Sequence, residues 1–254
     1  MHESQEQELA KYFADLHIHT ALSPCADDSC TPPKIILTAL ERGMQIIAVT
    51  DHNSVENVEA TACCGKRHGI TVIPGMELTT REEVHIVCLL EGIESALELQ
   101  DRVYALLPAE PNTPEVFGRQ LLLDEDGNTK GECGRLLMGA VEIGLEEAVS
   151  LVHELNGLAI ASHVDRPSFS VIANLGLVPE DAGFDALEIS ACRTREEAVG
   201  MFPQIGRFAV VTGSDAHTPD RIGEAPTLFL LGSPTLGEIR LALSGERGRE
   251  FLIQ

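Results

Sequence analysis

The interpretation of this chain starts from six residues, Asp15-Leu16-His17-Ile18-His19-Thr20. They follow Tyr12 and Phe13 and have the pattern of a short buried strand that ends in polar residues. Because residues two apart on a strand point to the same face, His17 and His19 can direct their imidazole rings at one point. In parallel α/β folds the C-terminal ends of the strands carry the chemistry. Two histidines hydrogen-bonded within a core would give the same pair, so the rest of the chain has to decide.

The same arrangement recurs along the chain. Apolar runs alternate with helical patterns, which is typical of βαβ units and of a parallel sheet. Most of these runs end in a histidine or an acid, and one histidine stands early in its run. We therefore expect the following residues at one mouth of an α/β domain: His17, His19, His52, His85, His163, His217, Asp51, Glu77 and Asp215.

The predicted elements are regular except in one region. A helix is expected to begin at Pro32, with Thr31 as its N-cap. Between about 101 and 143 the rhythm breaks at several prolines and turn residues, and we predict an insertion near the rim, built as a hairpin or similar excursion, within a single domain of residues 1–254. The remaining histidines fall on a tail and on helices and are expected to be surface or cap residues: His2, His68 and His153.

The composition limits the partners. The 254 residues include 40 acids and 18 bases, which gives a net charge of −22. A protein that binds a polyanion normally shows a basic face, so we expect no duplex nucleic acid partner. A small anionic substrate stays compatible if metal cations supply positive charge. The first residues do not match the pattern of a secretory signal, no apolar run is long enough to span a membrane, and the seven cysteines lack a disulfide pattern. We therefore expect a cytoplasmic protein without a membrane partner.

The candidate residues share a ligand chemistry. Imidazole nitrogens and carboxylate oxygens suit zinc, manganese and iron. Six histidines at one mouth would be costly as plain buried polar groups, because each needs hydrogen-bond partners. No cysteines stand at the spacing of a structural zinc site. The set therefore predicts a catalytic metal site with positions open to water and substrate.

Five motifs carry a family resemblance: Asp15-Leu16-His17-Ile18-His19-Thr20, Thr50-Asp51-His52-Asn53-Ser54, Gly75-Met76-Glu77, Ser162-His163 and Gly213-Ser214-Asp215-Ala216-His217-Thr218. They resemble the motifs of the PHP (polymerase and histidinol phosphatase) family, in that family's order, over about residues 12–220. The resemblance implies a distorted (β/α)7 barrel of TIM-like type with a trinuclear metal centre at the strand ends. It also implies a stand-alone phosphoesterase that hydrolyses a small phosphomonoester or a nucleotide phosphodiester with a metal-activated hydroxide.

The resemblance also assigns ligands to ions. Glu77 would bridge the first two ions, and two or three divalent ions are expected in all. The first ion would be held by His17, His19, Glu77 and Asp215, the second by Glu77, His85 and His163, and the third by His52 and His217.

The third ion lacks one ligand in this assignment. The family's usual spacing lands on Pro24 and Cys25, which do not match the usual histidine or aspartate. Asp27 is the best candidate, with Asp28 and Cys25 behind it, and a two-metal site is the alternative. Asp51 is interpreted as an orienting residue beside the ligands.

Catalysis needs charge stabilisation around the phosphate. The metal ions would supply most of it, and His217 or a metal-bound water would protonate the leaving oxygen. Arg166 stands three residues after His163 and is the candidate phosphate clamp, with Arg135 and Arg193 as weaker candidates. The expected catalytic set is Glu77, Asp215, His217 and Arg166.

Two other functions fit part of the pattern. A metal-dependent C–N hydrolase uses similar histidine-rich barrel mouths, often with a lysine-derived bridge. None of the four lysines stands at a predicted strand end, which weakens this alternative. A non-catalytic metal-binding domain would bind ions without turning over phosphoesters. The expected partner is a small phosphorylated substrate, a class that includes nucleotides and short oligonucleotides, and the oligomeric state is left open.

Overall fold

A computed structural model of the chain describes residues 8–253, so His2 lies outside the described residues. The strands are β1 (Ala10–Ile18), β2 (Ile46–Val49), β3 (Thr71–Thr79), β4 (His85–Leu89), β5 (Leu121–Leu123), β6 (Thr129–Glu132), β7 (Leu158–Ala161), β8 (Ala186–Ile189), β9 (Val210–Thr212), β10 (Thr227–Leu231) and β11 (Glu250–Ile253). The α-helices are α1 (Pro32–Glu41), α2 (Val58–His68), α3 (Ile93–Leu106), α4 (Pro114–Phe117), α5 (Leu145–Glu154), α6 (Val171–Leu175), α7 (Arg195–Met201) and α8 (Leu236–Leu243). Among the described residues, no helix is both long and apolar enough to cross a membrane.

Seven strands form a nearly closed barrel in the order β1-β2-β3-β4-β7-β8-β9. Strands β1, β2 and β3 are parallel, as are β7, β8 and β9. The two ends of the barrel approach each other where Ile18 bridges to Ala216, and the His19 amide donates to the Ala216 carbonyl at 3.0 Å. The predicted distorted (β/α)7 barrel is therefore confirmed. Strands β10 and β11 extend the sheet beyond β1 with antiparallel pairing.

Strand β4 distorts the barrel because it runs antiparallel to both of its neighbours. The start of an antiparallel strand lies at the same edge as the end of its partner. His85, the first residue of β4, accordingly pairs with Thr79, the last residue of β3. The reversal explains why a histidine early in a strand lies at the same mouth as the others.

Local signals set the element boundaries where the sequence predicts them. Helix α1 begins at Pro32 after Thr31 in an extended N-cap conformation. Helix α2 ends at Gly69, which has a φ of +77° that a glycine adopts without strain. Two short helices, α6 and α7, and strand β11 have no counterpart among the predicted elements.

The region between α3 and α5 packs on the barrel mouth. It contains α4 and the hairpin of β5 and β6, which forms a separate two-stranded sheet. Leu121 and Leu123 pack with Ala21 in a small apolar cluster. The Asn53 side chain donates to the carbonyls of Leu137 and Gly139 at 2.7 and 2.9 Å, which fixes the end of this region over the strand ends.

Candidate metal centre

Four buried side chains meet where β1 ends. His17 and His19 come from the end of β1, Glu77 from β3 and Asp215 from the loop after β9. The Nε2 atoms of the two histidines are 3.2 Å apart. Both lie 3.1 to 3.4 Å from a Glu77 carboxylate oxygen and from Asp215 Oδ1. The structure thus brings together the four residues that the family resemblance assigns to the first ion.

Glu77 also belongs to a second group. Its carboxylate lies 3.1 Å from His52 Nδ1, 2.9 Å from His85 Nδ1 and 3.3 Å from His163 Nε2. One donor atom each from His52, Glu77 and His85 lies within 4.8 Å of the others, and His163 stands beside them. Glu77 therefore faces two groups of nitrogen donors at once, as a bridging carboxylate must.

The third group consists of three histidines. One nitrogen each from His19, His52 and His217 lies within 4.8 Å of the others. The ring centroid of His19 is 4.1 Å from that of His217 and 4.7 Å from that of His52. His19 stands here in the place where the sequence analysis expected a carboxylate.

The carboxylate of Asp27, the best candidate from the sequence, does not lie with the three histidines of this group, although the Asp27 amide donates to the His217 carbonyl oxygen at 2.8 Å. It is exposed, and its Oδ1 accepts a hydrogen bond from the Ser29 amide at 2.8 Å, which turns the carboxylate back onto its own loop. Asp28 pairs with an arginine at 3.3 Å on the surface. Cys25 is exposed and also lies outside the three groups. None of the three candidates supplies the extra ligand in this geometry.

A glutamate for which the sequence suggested no role fixes the ring of His17. Glu188 on β8 is buried, and both of its carboxylate oxygens lie 3.0 Å from His17 Nδ1. Because an ionised carboxylate only accepts hydrogen bonds, Nδ1 donates, and Nε2 is left facing Glu77 and Asp215. Glu188 Oε1 also accepts from the His163 amide at 3.2 Å. No motif surrounds Glu188, so its contact with His17 could not be found from local sequence.

Asp51 fixes the ring of His19 through Ser23. The Ser23 hydroxyl donates to Asp51 Oδ1 at 2.7 Å, so its oxygen accepts from His19 Nδ1, 2.9 Å away. Thr20 adds two donors to Asp51, its amide at 2.8 Å and its hydroxyl at 2.7 Å. Asp51 is fully buried and lies outside the three donor groups. It orients a candidate ligand, as predicted.

Asp15 connects β1 to the loop after β9. Its two carboxylate oxygens accept hydrogen bonds from the amides of Ser214, at 3.0 Å, and Gly223, at 2.8 Å. Burial raises the pKa of Asp15, and these hydrogen bonds oppose the rise. Asp15 therefore holds the loop that carries Asp215 and His217, and its carboxylate does not face the donor groups.

Unusual backbone conformations concentrate at the mouth. Positive φ angles occur at Asn53 (48°), His163 (31°), Phe169 (54°) and Asp215 (47°). A non-glycine residue in this region costs about 1 to 3 kcal/mol and persists only where its surroundings impose it. Each of these residues lines the pocket or is hydrogen-bonded to its rim. The unfavourable backbone conformations therefore occur where they place side chains around the pocket.

Opposite charges oppose burial in the first group. Burial alone would lower the pKa of His19, but Asp215 and Glu77 outweigh it and raise the pKa to about 9. Burial is likewise overcome at His17, where Glu188 and Glu77 raise the pKa well above its usual value. Burial would raise the pKa of Glu77 and of Asp215, but the adjacent imidazoles lower both. Without a cation in the site, the group is therefore a cluster of carboxylates and imidazolium ions.

His217 is in a different state. Burial and repulsion from His19 lower the pKa of His217 to about 4, so the ring is neutral at pH 7. Its Nδ1 donates to the Asp215 carbonyl oxygen at 2.9 Å, which leaves the lone pair on Nε2. This state suits a metal ligand or a proton acceptor. It does not support the sequence-based hypothesis that His217 donates a proton to the leaving oxygen.

The three candidate arginines differ in position. Arg166 lines the same pocket as the histidines, and its Nη1 pairs with Asp215 Oδ2. Arg193 pairs with Asp165 at 2.8 Å in an adjoining cleft. Arg135 donates to a backbone carbonyl of α3, and its guanidinium lies 5.1 Å from the centre of a tyrosine ring. Arg166 alone of the three lines the pocket of the donor groups.

An open pocket of about 180 Å³ lies in front of the donor groups. Met138 and Phe169 form apolar walls, and Arg166 and Ser168 add polar groups. The Phe169 ring stacks on His85 with 4.8 Å between the ring centroids. The pocket can therefore receive a small ligand and limit the access of water to the donor atoms.

Divalent metal ions fit the residues present. Among the described residues, the buried Nδ1 atoms of His52 and His163 have no hydrogen-bond partner. His52 Nδ1 lies 3.1 Å from Glu77 Oε2, but the two atoms are not aligned for a hydrogen bond. Two electron-pair donors therefore face each other at close range. A cation would satisfy both atoms, and mixed nitrogen and oxygen donors suit zinc, manganese and iron.

Comparison with known families places these residues in context. The family model of the PHP domain matches residues 15–166, more than half of the chain. This chain belongs to the PHP domain family. The matched segment runs from the second half of β1 through β7 and contains most of the donor residues.

Two relatives of this PHP-domain chain are named as enzymes that act on phosphate esters. The 5'-3' exoribonuclease Rnm of Salmonella typhimurium is 25% identical to this chain, and the alignment covers 81% of this chain and 85% of that protein. A 3',5'-nucleoside bisphosphate phosphatase of Chromobacterium violaceum is 35% identical over 85 residues, which cover 32% of this chain and 28% of that protein. These relatives support the predicted class, a metal-dependent phosphoesterase.

Endonuclease Q of Pyrococcus furiosus has the same fold, with a TM-score of 0.71 and 20% identity. The superposition covers 95% of this chain but 58% of the endonuclease, so this chain spans little more than half of that protein. A further endonuclease Q structure holds a 27-mer duplex with an abasic lesion at the active site. The expectation that duplex nucleic acid is excluded is therefore wrong. The net charge of a chain averages over its surface and does not describe the surface around the site.

Proposed function

We propose that this protein hydrolyses phosphate esters of nucleotides at the barrel mouth, with two or three divalent ions held by the three donor groups. The observation that carries the proposal is the convergence of six imidazole rings on Glu77 and Asp215, next to Arg166. Bound there, divalent ions would act as Lewis acids and make a water nucleophilic at neutral pH. The proposed ligands are His17, His19, His52, Glu77, His85, His163, Asp215 and His217.

The chain's own residues contribute orientation and charge. Glu188 and Asp51 hold two imidazoles so that their Nε2 atoms face the centre. Arg166 pairs with Asp215 through one nitrogen, and its planar fork has further N–H donors for a phosphate oxygen. The neutral ring of His217 directs its Nδ1 proton to the Asp215 carbonyl oxygen and offers the Nε2 lone pair to a metal ion.

The relatives guide the choice of substrate class. One is named for a nucleoside bisphosphate and one for RNA, and a protein of the same fold holds a DNA duplex. A nucleotide phosphate ester is common to all three. We therefore propose a nucleotide or oligonucleotide substrate, with single strands and duplexes both tested as longer substrates.

The proposal also covers the cellular compartment and the domain organisation. All seven cysteines are free in the structure, which supports a reducing compartment such as the cytoplasm. The region at about 101–143 supplies Met138 to the pocket and bonds to Asn53, which supports a single domain with an insertion that shapes the site.

Elemental analysis combined with a phosphoester panel tests the function. The panel contains p-nitrophenyl phosphate, its bis ester, nucleotides, single-stranded RNA and duplex DNA. We expect bound zinc, manganese or iron and turnover that is lost on chelation and restored by metal. His52→Ala should lose metal and activity, whereas His153→Ala, an exposed histidine on α5, should lose neither. Metal-loaded protein that is inert on every ester but cleaves amides would establish the C–N hydrolase alternative, and protein inert on both would be a binding domain.

A further inference from the structure

A second cleft lies directly beside the candidate metal centre. It has a volume of about 240 Å³ and is separate from the pocket that holds the donor atoms. Arg166 lines both, and Ser214, which lines the cleft, precedes Asp215 in the chain. A ligand with one group at the metal centre can therefore extend past Arg166 into this cleft.

Basic residues outnumber acidic ones among the residues that line the cleft, and the ion-pair partners of two of them, Asp215 and Glu224, lie outside the lining. Arginines are scarce on a surface with 40 acids and 18 bases, yet three line this one cleft. Asp165 is the single acid among the lining residues. The arginines are Arg166, Arg193 and Arg221.

Asp165 acts inside the cleft as a fixed support. It is buried, and its Oδ1 accepts hydrogen bonds from the Ser190 amide at 2.8 Å and the Ser190 hydroxyl at 2.9 Å. Its Oδ2 lies 2.8 Å from Arg193 Nε. Arg193 Nη1 also donates to Met201 Sδ at 3.1 Å, so Nη2 is the nitrogen that can bind another anion. The cleft is thus partly preorganised.

Arg221 completes the opposite side. It ends the short 3₁₀ helix Pro219–Arg221, and its Nη2 lies 3.0 Å from Glu224 Oε2. Both side chains are more than a third exposed, so this ion pair stabilises the fold little and can yield to a ligand. Arg221 is therefore the residue through which the cleft can be tested with least damage to the fold.

We propose that this cleft binds a second phosphate of the substrate while the scissile phosphate lies at the metal centre. Guanidinium groups are typical phosphate ligands, and the three arginines of the cleft supply them. The hydroxyls of Ser190 and Ser214 donate to Asp165 and to the His17 carbonyl oxygen, so they fix the wall of the cleft. The inference rests on the proposed function, since it names the substrates of that same site. Ligands with two phosphates, either two terminal groups or a terminal group and a diester, should be preferred over those with one.

The variant Arg221→Gln tests the proposal, with Arg102→Gln as a matched control. Arg102 is about equally exposed, pairs with Glu98 on the same helix and lies outside the cleft, so both variants change the net charge equally. Binding to the metal-loaded full chain is measured by calorimetry, with each scissile ester oxygen of the ligands replaced by a methylene group to prevent turnover. The ligands are AMP, adenosine 3',5'-bisphosphate and a 5'-phosphorylated dinucleotide.

The wild-type protein should bind the two-phosphate ligands at least about tenfold more tightly than AMP, the range of one charge-assisted hydrogen bond. Arg221→Gln should remove most of this preference and leave AMP binding unchanged, while Arg102→Gln should match the wild type. Tighter binding of the bisphosphate alone would show that the cleft binds a terminal phosphate. Tighter binding of the dinucleotide as well would show that it also accepts a phosphodiester of the backbone. In the metal-loaded protein, Arg221→Gln should raise KM for the two-phosphate substrates and leave p-nitrophenyl phosphate kinetics unchanged.

Equal affinity of the wild type for AMP and both two-phosphate ligands would overturn the proposal. So would an equal loss of all three ligands in Arg221→Gln with unchanged thermal stability. Arg221→Lys, which retains the charge, should recover part of the preference. If two-phosphate ligands bind with this pattern but no ester is hydrolysed by metal-loaded protein, the cleft stands and the proposed catalytic function falls.

Discussion

Glu188→Gln should weaken metal binding although Glu188 belongs to none of the three donor groups. Its carboxylate lies 3.0 Å from His17 Nδ1 through both oxygens. The amide replaces a carboxylate of the same shape, so the packing stays and the charge is lost. Because the carboxylate fixes the His17 ring and makes its Nε2 a stronger donor, we expect a loss of metal affinity.

The contact sets the size of this loss. A hydrogen bond to a charged group contributes about 1.5 to 3 kcal/mol, which corresponds to about a 10- to 100-fold change in a dissociation constant. The amide can still accept a hydrogen bond from Nδ1, so Glu188→Gln should fall at the lower end. Glu188→Ala, which also leaves the His163 amide without its acceptor, should fall at the upper end.

Competition with a chromophoric chelator measures the affinity for zinc or manganese. Glu188 also raises the pKa of His17, so in the wild type a proton competes more strongly with the metal as the pH falls. The deficit of Glu188→Gln should therefore shrink at lower pH, which a simple packing defect would not produce. Glu238→Gln serves as the control, because Glu238 is also ion-paired and mostly buried but lies on α8. Wild-type metal affinity in both Glu188 variants at pH 8 would refute the orienting role.

Further changes test other parts of the site. Asp27→Asn should leave the number of bound ions unchanged in elemental analysis, because the carboxylate faces its own loop; loss of one ion would restore Asp27 as a ligand. Gly213→Ala should lower the stability by about 1 to 3 kcal/mol in chemical denaturation, because the new Cβ would lie 2.5 Å from a Glu188 oxygen, and Gly237→Ala, with nothing within 4 Å, should not. In metal-free protein, the contacts that raise the His19 pKa to about 9 stabilise the fold fully below about pH 6.5, and this stabilisation is lost as the pH rises through 9. The free energy of unfolding from denaturation curves should therefore fall by up to about 3 kcal/mol over this range, and a rise would contradict the charge state. Arg166→Ala should raise KM or lower kcat for phosphate esters about tenfold or more with metal content unchanged, and unaltered kinetics would remove it from the site.

The strand-end residues could be predicted because strand periodicity and strand direction suffice to place them. His17 and His19 share a face, and parallel strands end at one edge of the sheet. His85 stands in none of the five motifs, and its ligand role rests on the family resemblance, since the sequence does not state that β4 runs antiparallel. The direction of that strand is a property of the whole sheet.

What the sequence could not predict has a common physical origin. Distance along the chain selects Asp27 as a candidate ligand, but the direction of a loop side chain depends on local hydrogen bonds such as that from Ser29. Glu188 was passed over because its partner His17 lies 171 residues away. The total charge predicts no duplex partner, but it does not describe the surface beside the site, where three arginines line one cleft. Each of these facts is set by tertiary contacts that local patterns do not contain.

The charge states also explain how such a site can form before any metal binds. Glu77, Asp215 and Glu188 are buried acids at one point, and three buried anions would repel each other strongly. The raised pKa values of His17 and His19 mean that protons on these rings balance the anions in the metal-free protein. A divalent ion then replaces protons in an existing arrangement, and the loops need not fold around it. Because protons and metal ions compete for the same nitrogen atoms, the centre should gain metal as the pH rises, while the barrel beneath it stays unchanged.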